Sequence, residues 1–269
     1  MRRLFIGALL FLFSCAGRQV DQSRVRVVSL APSLTEIVYA LGRGDDLVGV
    51  TVFCNYPPAV AKKYRVGDFS NPSLERIAAL KPDIVLVTLP EQNRIKSEIE
   101  KLKIKTYNSS PASIEAIFKD IKAIGDLLHV SFRADSLIDS LRKELARINQ
   151  VSPKDSARVY LEVSSQPLVS IGGSSYINEM VMLAGGRNIF ADLKMDYPVI
   201  SQEELLRRSP DVIFILHEAE LGQRLGWQKI KAVRTKRIYY DLDPDLIFRP
   251  GPRVFEGVKL IHEKLKLNT

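Results

Sequence analysis

Two segments of the chain are versions of one another. Residues 73–87 read SLERIAALKPDIVLV and residues 201–215 read SQEELLRRSPDVIFI. One offset carries Ser73 onto Ser201, Glu75 onto Glu203 and Pro82-Asp83 onto Pro210-Asp211, while other positions exchange one apolar residue for another. Each segment reads as a short helix, a proline that the helix cannot pass, and an apolar run short enough for a buried strand. A second echo, TEIVYALG at 35–42 against NEMVMLAG at 178–185, sets Glu36 against Glu179 at a different offset. A longer insertion near the start of the second half absorbs the difference. Such a chain is expected to fold as two lobes of related plan.

The N-terminus stands apart from that plan. MRRLFIGALLFLFSCAG has a basic start and an apolar run, Leu4 to Phe13, too short to span a bilayer, which takes about 20 apolar residues. The run fits the core of an export signal. Its end, LFSC followed by Ala16 and Gly17, resembles a bacterial lipobox, which implies lipidation of Cys15. Residues 1–15 are then the signal and 16–25 a polar tether to a membrane, with ordinary cleavage near SCA as the alternative. The expected location is exported, periplasmic or cell-surface. Only Cys54 remains beyond Cys15, so the mature chain has no internal disulfide to rely on and must be held by its core. The formal charge of +8 is spread along segments such as RIKSEIEKLKIK, interleaved with glutamate. That is a solvated face, without the basic, aromatic-bearing stripe that nucleic acid requires.

Along the first half, RVVSL and LVGV read as strands around the helix PSLTEIVYALG, with Ser33-x-x-Glu36 as a capping box and Gly42 as its stop. The helix at 73–80, the strand DIVLV, the amphipathic EQNRIKSEIEKL and the strand KIKTY follow. SPASIEAIFKDIKAIGDLL then reads as a helix with proline in its first turn. The second half repeats the order: strand ARVYLEV, helix SYINEMVMLAGG, short strand NIF, helix 201–207, strands DVIFIL and RIYYDL, and the closing helix GPRVFEGVKLIHEKLK. Strands alternating with helices imply a largely parallel sheet in each half. Between the halves, SFRADSLIDSLRKELARINQ contains no proline or glycine and spaces Leu137, Leu141, Leu145 and Ile148 at helical intervals. A helix of that length spans about 30 Å and limits hinge motion.

RVVSLAPSLTEIVYALG, DLVGVTVFCNYPP, SLERIAALKPDIVLV and RPGPRVFEGVKLIHEKL, in that order, resemble the helical-backbone solute-binding proteins of ABC importers. The vitamin B12 and ferric-siderophore family is the nearest group, and the vitamin B12 branch the nearest within it. The resemblance covers residues 26–266. It implies the class III periplasmic-binding-protein fold, two parallel-sheet α/β lobes joined by one long connecting α-helix with the ligand cleft between them. The corresponding boundaries are 26–128 for the N-terminal lobe, 129–152 for the connecting helix and 153–269 for the C-terminal lobe. The resemblance also implies a monomer that captures a corrinoid, with a ferric chelate (siderophore or haem) as the alternative, and docks on a permease dimer through Glu75 and Glu203. A duplicated chain offers the same feature twice, which suits a two-fold partner. The simpler role for both carboxylates is to offset a helix dipole.

Ligands of open α/β sheets bind beyond the carboxyl ends of the strands. Those ends include Pro32 and Ser33, the segment around Phe53, Phe69, Thr88, Tyr197, His217, and the FRPGPR stretch with Phe248, Arg249 and Arg253. The resemblance places ring-contacting positions at Phe53, Phe69 and Tyr197, and puts Thr88 where a further ring would stand. Prolines stiffen the loop around Arg249, whose planar fork suits carboxylate, amide or phosphate. Arg253 is expected either on the ligand or on a core carboxylate. His217 is expected either at the ligand or satisfied in the structure, and Cys54 either buried or at the cleft. The three histidines, His129, His217 and His262, lie in unrelated elements and form no metal-binding spacing. No nucleophile elbow, Walker loop or dinucleotide fingerprint occurs, and SIGGSS at 170–175 reads as a turn. No cofactor and no catalytic residue is therefore expected.

Overall fold

The computed structural model describes residues 24–150, 156–218 and 224–266. Cys15, the expected signal and the tether as far as residue 23 lie outside them. The first lobe contains β1 (Val27–Ser29), α1 (Pro32–Ala40), β2 (Leu47–Val50), α2 (Leu74–Ala79), β3 (Ile84–Thr88), α3 (Asn93–Lys101), β4 (Lys105–Ser109) and α4 (Ile114–Leu127). Helix α5 (Ser131–Gln150) leads across to the second lobe. There follow β5 (Ala157–Ser165), β6 (Leu168–Ser170), α6 (Tyr176–Leu183), β7 (Gly186–Asn188), α7 (Gln202–Arg208), β8 (Val212–Ile215), α8 (Lys231–Arg234), β9 (Ile238–Tyr239), α9 (Pro244–Phe248) and α10 (Val254–Lys266).

The two sheets share one topology. The first runs β2-β1-β3-β4, all parallel. In the second, β5 pairs in parallel with β7 on one side and β8 on the other, and β8 with β9. The strands match one for one, and the addition is β6, antiparallel on the far half of β5. It lies between β5 and α6, ahead of both echoes, so it does not account for their different offsets. Glu36 and Glu75 stand farther apart than Glu179 and Glu203. The expected insertion near the start of the second half gives way to a longer connection between β2 and α2 in the first lobe.

Alternation along the strands divides the core. Val27, Ile84, Leu86, Val159, Leu161, Val212 and Phe214 face a single apolar interior built with α1, α4, α5, α6 and α10. Their neighbours Val28, Val85 and Val87 face α2 and α3, and Tyr160, Ile213 and Ile215 face α7 and α8. Sheets covered on both faces need apolar residues at every strand position, which the runs IVLV and VIFI supply. Helix α5 packs on α4 of one lobe and on α6 and α10 of the other. Its deepest residues are Ala134, Ile138, Leu141 and Leu145, so the buried stripe is rotated from the expected one. Leu137 and Ile148 are only partly buried beside it.

Three local expectations are corrected. Ser33 does not cap α1: the N-cap is Ala31, no side chain caps it, and Ser33 lies in the first turn. Glu36 therefore has no cap to complete and turns to two arginines described below. Pro111 precedes α4, whose N-cap is Ser113, its hydroxyl accepting from the Ala116 amide at 3.0 Å. The short strand expected at NIF is β7, ending at Asn188, where the Asn188 side chain accepts from the Phe190 amide and turns the chain away.

Candidate ligand cleft

Between the lobes lies an open cleft of about 330 Å³. Its floor is the start of α1, where Ala31 and Pro32 enter from the end of β1. Proline at the first helical position has no N–H to satisfy, and the following amides have no side-chain cap. Thr88 at the end of β3 and Ser110 beyond β4 continue the first-lobe wall, with Phe69 beside them. One residue pins this wall together. Gln92, only 2% exposed, donates from Nε2 to the carbonyls of Leu30 (3.1 Å) and Phe69 (2.7 Å). Its Oε1 accepts from the Thr88 amide (2.9 Å). Sequence reasoning missed Gln92, because its partners are backbone atoms of three separate loops.

The second wall comes from Ser175, Tyr176, Asp196 and Tyr197, with Phe248, Arg249 and Pro250 closing one end. The SIGGSS turn holds this wall in place. Gly172 donates to the Asp196 carbonyl at 3.0 Å and Gly173 to that of Leu193 at 2.8 Å. A Cβ on Gly172 would stand 2.1 Å from the Met195 oxygen, and one on Gly173 2.1 Å from that of Ala191. Only glycine permits that approach. Tyr176 donates from its hydroxyl to the Ile247 carbonyl at 2.8 Å, which ties α6 to the Phe248–Arg249 end. The Tyr197 hydroxyl is pushed up to about 12, first by burial and then by the charges of Asp196 and Glu91.

At the same end a buried ion cluster joins the lobes. Glu36 of α1, 3% exposed, accepts Nε and Nη2 of Arg253 at 2.8 Å each and Nη1 of Arg249 at 3.0 Å. Arg249 also donates to Asn55 at 2.7 Å and pairs with Asp245 at 2.7 Å. The Arg253 guanidinium lies 4.1 Å from the centre of the Tyr56 ring. The related contact on the opposite side uses Glu179 of α6, which accepts the Ile114 amide at the start of α4 at 2.7 Å. In each lobe the first helix thus offers its glutamate to the start of the other lobe's last helix.

Of the positions singled out in the sequence, Pro32, Ser33, Phe69, Thr88, Tyr197, Phe248 and Arg249 line the cleft. Phe53 is 55% exposed outside that lining. Arg253 stands behind it on Glu36. His217 reaches Glu162 of β5, its Nε2 2.9 Å from Oε1, and Arg224 makes two further bonds to the same fully buried carboxylate. Cys54 is buried against the hydroxyls of Thr35 and Thr51. Glu75 and Glu203 occupy the same place in matching helices, two residues after the capping serines Ser73 and Ser201. Both are exposed, and among the described residues neither has an ion-pair partner, whereas Glu204 binds Arg207 and Arg208.

Residues 27–246 match the periplasmic binding protein family. The chain is 34% identical over 257 residues to an uncharacterised ABC transporter substrate-binding lipoprotein of Bacillus subtilis, covering 91% of this chain and 81% of that one. It is 31% identical over 254 residues to the vitamin B12-binding protein of Vibrio parahaemolyticus, covering 92% and 91%. A solved structure of a possible iron-binding (periplasmic solute-binding) protein from Staphylococcus epidermidis superposes with a TM-score of 0.81 at 30% identity, over 90% of this chain and 99% of that one.

Proposed function

This chain belongs to the periplasmic binding protein family, and from that premise we propose that it captures a corrinoid in the interlobe cleft and delivers it to the permease of an ABC importer. The observation that carries the ligand is a cleft with a ring on each wall, Phe69 and Tyr197, and Phe248 at its end, in a chain whose relatives include vitamin B12-binding proteins. Aromatic faces with a few fixed polar groups suit a large flat ligand. Pro32, Ser33, Thr88 and Arg249 supply the remaining contacts, and Phe53 and Tyr56 extend the rim once a ligand projects from the cleft. Arg253 serves from behind, through the Glu36 carboxylate that it shares with Arg249, and His217 is taken up by Glu162.

Glu75 and Glu203 are the docking pair. Each projects from the first turn of a surface helix in its own lobe, free of any cation in the described chain. Exposed ion pairs contribute about 0–1 kcal/mol each, so docking on a permease dimer depends on steering and on complementarity around them. The lobes comprise 26–128 and 153–269, with 129–152 as connector. A lipid on Cys15 holds the exported monomer at its membrane, in keeping with the lipoprotein relative.

A ferric chelate is the second reading, favoured by the likeness to a possible iron-binding protein. Calorimetric titration of the full-length chain with cyanocobalamin, then with ferric siderophores and haem, separates them. Saturable one-to-one binding of cyanocobalamin is the expected result. Binding of a ferric chelate alone moves the protein to the second reading, and silence across the panel removes both.

A further inference from the structure

The rim of the cleft carries charge of one sign. Glu91, after the Leu89-Pro90 turn of the first lobe, and Asp196, in the second-lobe loop before Tyr197, both line it. Both are exposed, and among the described residues neither carboxylate has a salt bridge or side-chain hydrogen bond. They come from opposite lobes and line the same opening. The one cation of the lining among the described residues does not offset them. Arg249 is committed to Glu36 and Asp245, and with Arg253 on Glu36 those four charges cancel.

The floor has a different character. Ser33 is 5% exposed and lines the cleft, and among the described residues its hydroxyl has no partner. The first amides of α1 lack a side-chain cap, and in the wall beside it the Thr88 hydroxyl is buried without a partner among the described residues. Donors therefore wait at the floor and charged acceptors at the rim. A ligand edged with several carboxamides suits both, some oxygens accepting below and some NH₂ groups donating above. A carboxylate meets two like charges at the rim and leaves both without a donor, and like-charge juxtaposition is the usual means of rejecting a wrong ligand.

We infer that Glu91 and Asp196 set the specificity of the cleft, admitting a ligand with an uncharged amide or cationic periphery and turning away one with carboxylates at its edge. This rests on the reading of the cleft as the ligand site and narrows its ligand class.

Cyanocobalamin and the monocarboxylic acids made by hydrolysing one of its side-chain amides differ by a single charge. Titrated into the full-length chain at low salt, the acids are expected to bind about tenfold more weakly than the parent, about 1.4 kcal/mol. The gap narrows in the Glu91→Gln, Asp196→Asn double variant. It narrows also with salt, as the Debye length falls from about 30 Å at 0.01 M to about 3 Å at 1 M. Equal binding of parent and acids, or a gap that survives in the double variant, overturns the inference. If cyanocobalamin itself does not bind, the corrinoid reading fails separately. The same comparison then runs between a cationic ferric hydroxamate and an anionic ferric catecholate. Preference for the hydroxamate, relaxed in the double variant, supports the filter, and a catecholate bound equally well by the unaltered chain overturns it. Failure of every probe with both proteins overturns it too.

Discussion

Glu36 shows how one residue can belong to the fold and the site together. Its carboxylate is buried between two guanidinium groups that come from the far end of the chain, and one of them forms part of the cleft lining. Removing one member of a buried ion pair leaves an uncompensated charge, which costs about 3–5 kcal/mol. Glu36→Gln is expected at the lower end, about 3 kcal/mol, because both arginine side chains reach solvent. Urea unfolding measures it, and a loss below about 1 kcal/mol would class the cluster with surface pairs. Arg249→Ala costs less, since Arg253 keeps both of its bonds to Glu36. The sequence made Arg249 and Arg253 legible as polar candidates but hid their partner, because Ser33-x-x-Glu36 also satisfies a capping pattern. Which pairing wins depends on where the helix starts, and that is set by Pro32 at its first position.

At the scale of elements, α2 and α7 are the clearest product of the duplication. In α2 the Ser73 hydroxyl accepts the Arg76 amide at 3.2 Å, and in α7 that of Ser201 accepts the Glu204 amide at 3.1 Å. The capped turn fixes Glu75 and Glu203 in the same attitude. Glu75→Ala and Glu203→Ala are each expected to lower permease-coupled uptake while changing stability by no more than about 0.5 kcal/mol, as surface substitutions do. Uptake by cells carrying each variant, beside thermal unfolding of the purified protein, checks this. Unchanged uptake in the double variant would return both residues to the helix-dipole role. The strand β6 was not legible in advance. LVS after a cis-proline turn at Gln166-Pro167 is too short to show a period, and only β5, extending past its parallel partners, gives it an edge to pair with.

For the whole molecule, the decisive fact is that the lobes share an interior. Residues of both sheets, of α5 and of α10 form one apolar cluster, so neither lobe has a complete core of its own. Thermal unfolding is therefore expected as a single calorimetric transition with matching van't Hoff and calorimetric enthalpies. Two resolved transitions would show that the lobes are independent. The same continuity restricts opening of the cleft to small displacements, since an interior packed at crystal density does not deform smoothly.

The sequence by itself determined the two related lobes, the long helix between them and the family, because periodicity, breakers and repeats are written locally along the chain. It also named most of the loops that meet at the cleft. Only the tertiary structure decided which side chains in those loops face one another. Gln92 bridging three carbonyl and amide groups, Glu36 between two arginines and His217 turned onto Glu162 all depend on contacts between distant segments. Such contacts leave no mark in spacing, because the burial and unmet hydrogen-bonding demand that produce them exist only once the chain has closed on itself.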